Sequence, residues 1–223
     1  MRLVVVIAAI AAAVVSSAPI AASEPTVGPD QLTGVQPRPD EVAPLIRWPI
    51  DPPPPLEIQG TWRTPFNEGE NISDPTCIGA VAPAGINAYR GSGYVAIDIQ
   101  QLGAFDQHNA YLVVSAASSF PSPKSARDFL KKQTQIWTGC HEHRVSYQPE
   151  GNDETWEIRM PTTTDNSVAV VNYRTAGIDG ASCSHALAVK SNVVAEVNAC
   201  RTNIGLIEQG LTIANNMLAK APG

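Results

Sequence analysis

The sequence predicts an α+β domain, an antiparallel sheet with packed helices and two disulfides, and three observations lead there. Runs of strand length that alternate or are rich in β-branched residues recur between residues 94 and 200. Two segments, after Ser122 and from Ile204, carry apolar residues spaced by threes and fours, the stripe of a helix packed on one side. Four cysteines, Cys77, Cys140, Cys183 and Cys200, stand in a chain that opens like an exported protein, where thiols are expected to pair.

That opening is Met1-Arg2, an apolar or small stretch from Leu3 to Val15, and small residues through Ser23. A basic start, a short apolar core and a small-residue exit define a cleavable leader over residues 1–23. Its 13 strongly apolar residues fall short of the roughly 20 that a bilayer span needs, so no stable membrane anchor is predicted. Of the 19 prolines, 11 fall between Pro25 and Pro65. They remove backbone donors and helical turns, so residues 24–58 are expected to be a semi-rigid proline-rich linker. The remaining residues 59–223, roughly 160 in number, suffice for one domain with its own core. Net charge is −6, and loss of the +1 on Arg2 takes the mature chain to −7. Such a surface disfavours nucleic acid and anionic membranes as partners.

Within the domain, Tyr94 to Gln100 alternates with Val95, Ile97 and Ile99 on one face, and Ala110 to Ala116 is a second strand. Ser122 and Pro123 supply an N-cap and a first-turn proline for a helix whose stripe is Ala126, Phe129, Leu130, Gln133, Ile136 and Trp137. Lys124, Arg127, Lys131 and Lys132 lie mostly off that stripe and are read as a solvated face. After Cys140 come strands at His143 to Gln148, Thr155 to Met160 and Ser167 to Arg174, with Trp156, Ile158 and Met160 alternating against Glu157 and Arg159. Ile204, Ile207, Leu211, Ala214 and Leu218 mark a C-terminal helix.

Four cysteines allow three pairings, and hairpin register chooses among them. Ala181 to Lys190 and Val193 to Cys200 read as strands joined by the two-residue loop Ser191-Asn192, which sets opposite one another residues whose numbers sum to 383. Cys183 and Cys200 satisfy that sum and fall at a non-hydrogen-bonded position, where Cα atoms approach to about 4.5 Å. Cys77 then pairs with Cys140.

The residues Tyr111-Leu112-Val113, Ser119-Phe120-Pro121-Ser122, Ala126, Phe129, Trp137-Thr138-Gly139-Cys140, Cys183-Ser184-His185-Ala186-Leu187, Asn192-Val193-Val194 and Asn198-Ala199-Cys200 resemble the PknH-like extracellular sensor domain family. That domain is the exported portion of a mycobacterial serine/threonine kinase and also occurs in stand-alone exported copies. The resemblance runs from about Gln59 to the C-terminus. It implies an α+β fold, disulfides joining first to second and third to fourth cysteine, and a cleft for a small-molecule or envelope ligand of unidentified nature. The kinase signatures, a glycine-rich loop, His-Arg-Asp and Asp-Phe-Gly, do not occur in this chain.

No catalytic residue, cofactor or metal site is predicted. His141-Glu142-His143 lacks the four-residue spacing of helical zinc ligands, and a strand site completed by Glu154 or His108 is a weaker reading than an exposed polar run. Ser184 and His185 are neighbours on a strand and face opposite ways, so they form no dyad. The competing readings are an exported enzyme with a site that no motif marks and an envelope docking scaffold. On the register above, Ala186, Ala188, Val193, Ala195, Val197 and Ala199 share a small apolar face suited to a covering helix. The opposite face carries Cys183, His185, Leu187, Glu196, Asn198 and Cys200, and His185, Leu187, Glu196 and Asn198 are its predicted ligand-binding residues, forming a cleft floor.

Overall fold

The computed structural model describes residues 26–46, 48, 51–176, 180–202 and 209–221. The predicted leader, and Ile204 and Ile207 of the predicted helix stripe, lie outside the described residues. In chain order the elements are α1 (Leu32–Val35), α2 (Pro39–Val42), β1 (Glu57–Trp62), α3 (Ile86–Tyr89), β2 (Ala96–Phe105), β3 (Ala110–Ser119), α4 (Pro123–Gly139), β4 (Arg144–Tyr147), β5 (Glu154–Ile158), β6 (Thr162–Thr164), β7 (Ser167–Ala176), β8 (Ser182–Lys190), β9 (Val193–Arg201) and α5 (Gln209–Lys220). The nine strands form one antiparallel sheet in the order β1-β2-β3-β9-β8-β7-β5-β4, with β6 on β7. The α+β class expected from the sequence is the fold observed.

The β8–β9 hairpin occupies the sheet centre, and its pairing matches the predicted register from Lys190 opposite Val193 to Cys183 opposite Cys200. Ser191 takes a left-handed φ of 51°, as a tight two-residue loop requires. Ser122 caps α4 by accepting the Ser125 amide at 3.1 Å, and Pro123 fills the first turn. The stripe Ala126, Phe129, Leu130, Gln133 and Trp137 is buried against the sheet, with Ile136 half-buried beside it.

Each face of the sheet carries its own core. One lies beneath α4 and residues 77–89, and includes Ile97, Ile99, Trp137, Val145, Ile158, Leu187 and Val194. The other lies beneath α5 and the proline-rich lead-in, where Val27, Leu32, Val35, Val42 and Ile46 join Val113, Ala195, Val197, Ala199, Ile213 and Met217. Helix α5 comes so near β8 that a Cβ on Gly210 would collide with the Ser184 carbonyl.

The lead-in differs from the expected spacer. Prolines deny a helix its interior but suit its first turn, and Pro29 and Pro39 each stand at such a start. Polar side chains then bind its backbone and neighbouring groups to the sheet. Asn192 accepts the Val27 amide at 2.7 Å and donates to the Val27 carbonyl at 3.1 Å. Gln36 donates to the Asp98 carbonyl at 2.6 Å, and Gln100 donates to the Pro37 carbonyl at 2.7 Å. Lys220 of α5 donates to the Gln36 carbonyl at 2.7 Å and pairs with Glu41. Strand β1, which no alternation announced, is largely exposed at the sheet edge.

Candidate functional site

Helix α4 does not cover the whole of its face. A cleft of about 750 Å³ remains, lined by residues of β2, β3, β9 and β8 and by groups from β4, β5, β7 and residues 81–83. Strand alternation supplies its floor: Gln101 and Phe105 from β2, Leu112 and Val114 from β3, Asn198 and Cys200 from β9. Val81 and Pro83 form one side, and Tyr147, Glu154, Trp156 and Arg174 the other. Phe105 is half exposed.

On that second side, the Arg174 guanidinium lies over the Trp156 ring at 5.0 Å and pairs with Glu154, whose other oxygen accepts the Trp156 indole N–H at 2.9 Å. Burial lowers the Arg174 pKa below the usual guanidinium value, and burial pushes the Tyr147 phenol up to about 12. Both groups keep their ordinary charge at neutral pH. Among the described residues, Arg174 Nε and Asn198 Oδ1 are buried without a hydrogen-bond partner.

Of the four residues predicted to bind a ligand, the structure brings only Asn198 to the cleft. His185, Leu187 and Glu196 are fully enclosed beneath α4 and residues 77–89. The His185 ring rests on Trp137 at 4.5 Å, with Nε2 2.8 Å from Glu196 Oε1 and Nδ1 3.1 Å from the Ala80 carbonyl. Glu196 also accepts the Ala84 amide at 2.9 Å and the Tyr89 hydroxyl at 2.8 Å. Asn172 donates to the Ala80 carbonyl at 2.7 Å, and Asn198 donates to the Val81 carbonyl at 3.4 Å. These polar groups therefore hold the backbone that forms one wall of the cleft. A polar face on a central strand reads alike whether a ligand or an irregular chain segment will cover it.

The cleft residues that sequence reasoning missed include Gln101, Phe105, Leu112, Val114, Trp156 and Arg174. Alternation on the predicted strands did place Trp156 on the face of Ile158. Pairing of β5 with β7, which sets Trp156 opposite Arg174, is what brings the guanidinium over the indole.

The disulfides join Cys77 to Cys140 and Cys183 to Cys200, with Cα separations of 5.6 and 4.0 Å. The second forms part of the cleft floor. The histidine run divides: His143 Nδ1 lies 3.0 Å from Asp74 Oδ2 and 3.5 Å from Cys77 Sγ, while Glu154 is engaged with Arg174 and Trp156. Neither Glu154 nor His108 joins the cluster of Asp74, Cys77 and His143.

Comparison with known proteins matches the PknH-like extracellular domain over residues 27–220. The chain belongs to that family. The family match begins at residue 27, not near Gln59 as the residues alone suggested, in keeping with a lead-in that packs into the core. The serine/threonine-protein kinase PknH of Mycobacterium bovis is 27% identical over 129 residues, which are 58% of this chain and 22% of that kinase. The PknH kinase of Mycobacterium tuberculosis is likewise 27% identical over 129 residues and 20% of its length. The chain thus spans about a fifth of the length of these curated relatives. The crystal structure of the extracellular domain of PknH from Mycobacterium tuberculosis shares the fold, with a TM-score of 0.78 at 22% identity, covering 89% of this chain and 98% of that one. No described helix is long and apolar enough to cross a membrane.

Proposed function

We propose that this protein is an exported, sensor-type domain of the cell envelope that binds a small amphipathic ligand in the cleft, and that it is not an enzyme. The observation that carries the reading is the lining itself. Phe105, Leu112, Val114 and Trp156 offer an apolar bed, and Gln101, Asn198, Glu154 and Arg174 converge on it with polar groups. A concavity of about 750 Å³ with few, placed polar groups is of the size and character that small-molecule sites have. The leader expected over residues 1–23 and the two disulfides support an oxidising, extracytoplasmic setting.

A thermal-shift screen of envelope metabolites tests this. A true ligand at a hundredfold excess over its Kd stabilises the fold by about 2.7 kcal/mol. Replacing half-buried Leu112 by tryptophan fills the cleft. The reading expects L112W to fold and to lose the response. Equal responses from wild type and L112W would place binding elsewhere.

A further inference from the structure

A second cluster lies outside the cleft, at the junction of residue 74, the end of α4 and the start of β4. Asp74 Oδ1 accepts the amides of Thr76 and Cys77 at 3.0 and 3.1 Å, which leaves Oδ2 directed to His143 Nδ1 at 3.0 Å. Glu142 takes a left-handed φ of 65°, turning the chain back after α4, and the His143 amide donates to the Cys140 carbonyl at 3.0 Å. His143 Nδ1 thereby comes within 3.5 Å of Cys77 Sγ. Donor atoms of Asp74, Cys77 and His143 all lie within 4.8 Å of one another, and Cys140 Sγ is bonded to Cys77 Sγ. None of the four residues lines the cleft.

A disulfide sulfur is a poor ligand, so the oxidised corner offers a metal only an imidazole and a carboxylate. The chain is synthesised as thiols, however, and in the dithiol form the same corner holds two sulfurs, one nitrogen and one oxygen. Tetrahedral zinc with bonds of about 2.0 to 2.3 Å needs its donors roughly 3.3 to 3.8 Å apart. The imidazole stands at 3.0 and 3.5 Å from the carboxylate and the Cys77 sulfur, so these three need only modest movement, while Cys140, which lies outside their cluster and is held to it through Cys77, must swing inward once the sulfurs separate. Two soft sulfurs with an imidazole and a carboxylate select a borderline cation such as zinc over magnesium or calcium. His143 is half exposed at its side chain, which leaves an approach from solvent.

We propose that Cys77, Cys140, His143 and Asp74 form a zinc site in the dithiol chain, and that formation of the Cys77–Cys140 disulfide abolishes it. On binding, each cysteine thiol releases its proton to water and donates a thiolate pair to the cation, with no change in sulfur oxidation state. The site is regenerated when a trialkylphosphine reduces the disulfide. The phosphine becomes its oxide with an oxygen from water, and the two electrons and two protons go to the sulfurs.

The test is a cobalt(II) titration of the full chain, oxidised and after phosphine reduction, followed by zinc displacement. The proposal expects one equivalent of cobalt on the reduced chain, with sulfur-to-cobalt charge-transfer absorption and tetrahedral visible bands, and neither on the oxidised chain. His143→Ala and Asp74→Asn, whose oxidised forms should keep the wild-type circular dichroism, are expected to weaken binding more than about tenfold, the scale that even outer-shell partners carry. Zinc should protect Cys77 and Cys140 from alkylation in peptide maps while leaving Cys183 and Cys200 no less reactive. Absence of the charge-transfer band from reduced wild type, undiminished affinity in His143→Ala, or protection that falls on Cys183 and Cys200 would each overturn it.

Discussion

The two faces of the β8–β9 hairpin meet their coverings by different means. Toward α5 the hairpin presents Ala188, Val193, Ala195, Val197 and Ala199, all buried, and the helix settles against small side chains at close range. Helix α5 satisfies its own interior backbone, so an apolar bed is enough. On the other side, part of the covering is residues 77–89, an irregular stretch with short helical turns only. Its carbonyls and amides lack a ladder and are met by Asn172, His185, Glu196 and Asn198. A regular element can be packed by volume alone, whereas an irregular one must also be hydrogen-bonded wherever water is excluded.

The largest expected effect breaks the polar side of this comparison. Glu196→Ala leaves the His185 imidazole, the Ala84 amide and the Tyr89 hydroxyl without their shared acceptor. Loss of one member of a buried pair of this kind costs about 3 to 5 kcal/mol, to be read by urea unfolding. A loss under about 1 kcal/mol would show that the wall does not depend on this network.

Ala195→Leu attacks the apolar side, where there is no group to leave unpaired and the penalty is volume alone. Overpacking beneath α5 is expected to cost about 1 to 3 kcal/mol in the same assay, without altering ligand responses in the cleft. An indifferent Ala195→Leu would mean that α5 yields easily and that close packing is not what holds that face.

The smallest effects come from a matched pair of tyrosines. Tyr89 donates to Glu196 on the polar side, while the Tyr111 hydroxyl on the α5 side is buried with no hydrogen-bond partner among the described residues. Tyr89→Phe should cost about 1 to 2 kcal/mol, and Tyr111→Phe should fall within about 0.5 kcal/mol of wild type or stabilise it. Melting temperatures of the two variants check the sign; equal losses would dissolve the distinction between the faces.

Much of this was legible in the residues. Period-two alternation marks the longer strands, Ser122 and Pro123 mark the start of α4, and a two-residue loop at Ser191-Asn192 is enough to place Cys183 opposite Cys200. The lead-in was harder to read, because a proline that terminates one helix begins another, and composition does not say which. Its role depends on partners far along the chain: Asp98, Gln100, Asn192 and Lys220.

The cleft shows the same division. Alternation alone determined which residues of β8 and β9 share a face, since a strand offers only two directions. Whether a given residue on that face would be sealed or open depended on where α4 and residues 77–89 end. That is decided by long-range packing, and His185 and Asn198, paired across the hairpin, fall on opposite sides of the boundary. Local pattern sets direction because it follows from backbone geometry at each residue; enclosure is set by elements more than 90 residues apart in the chain, as where Asn172 and His185 bind Ala80, and no local pattern encodes them.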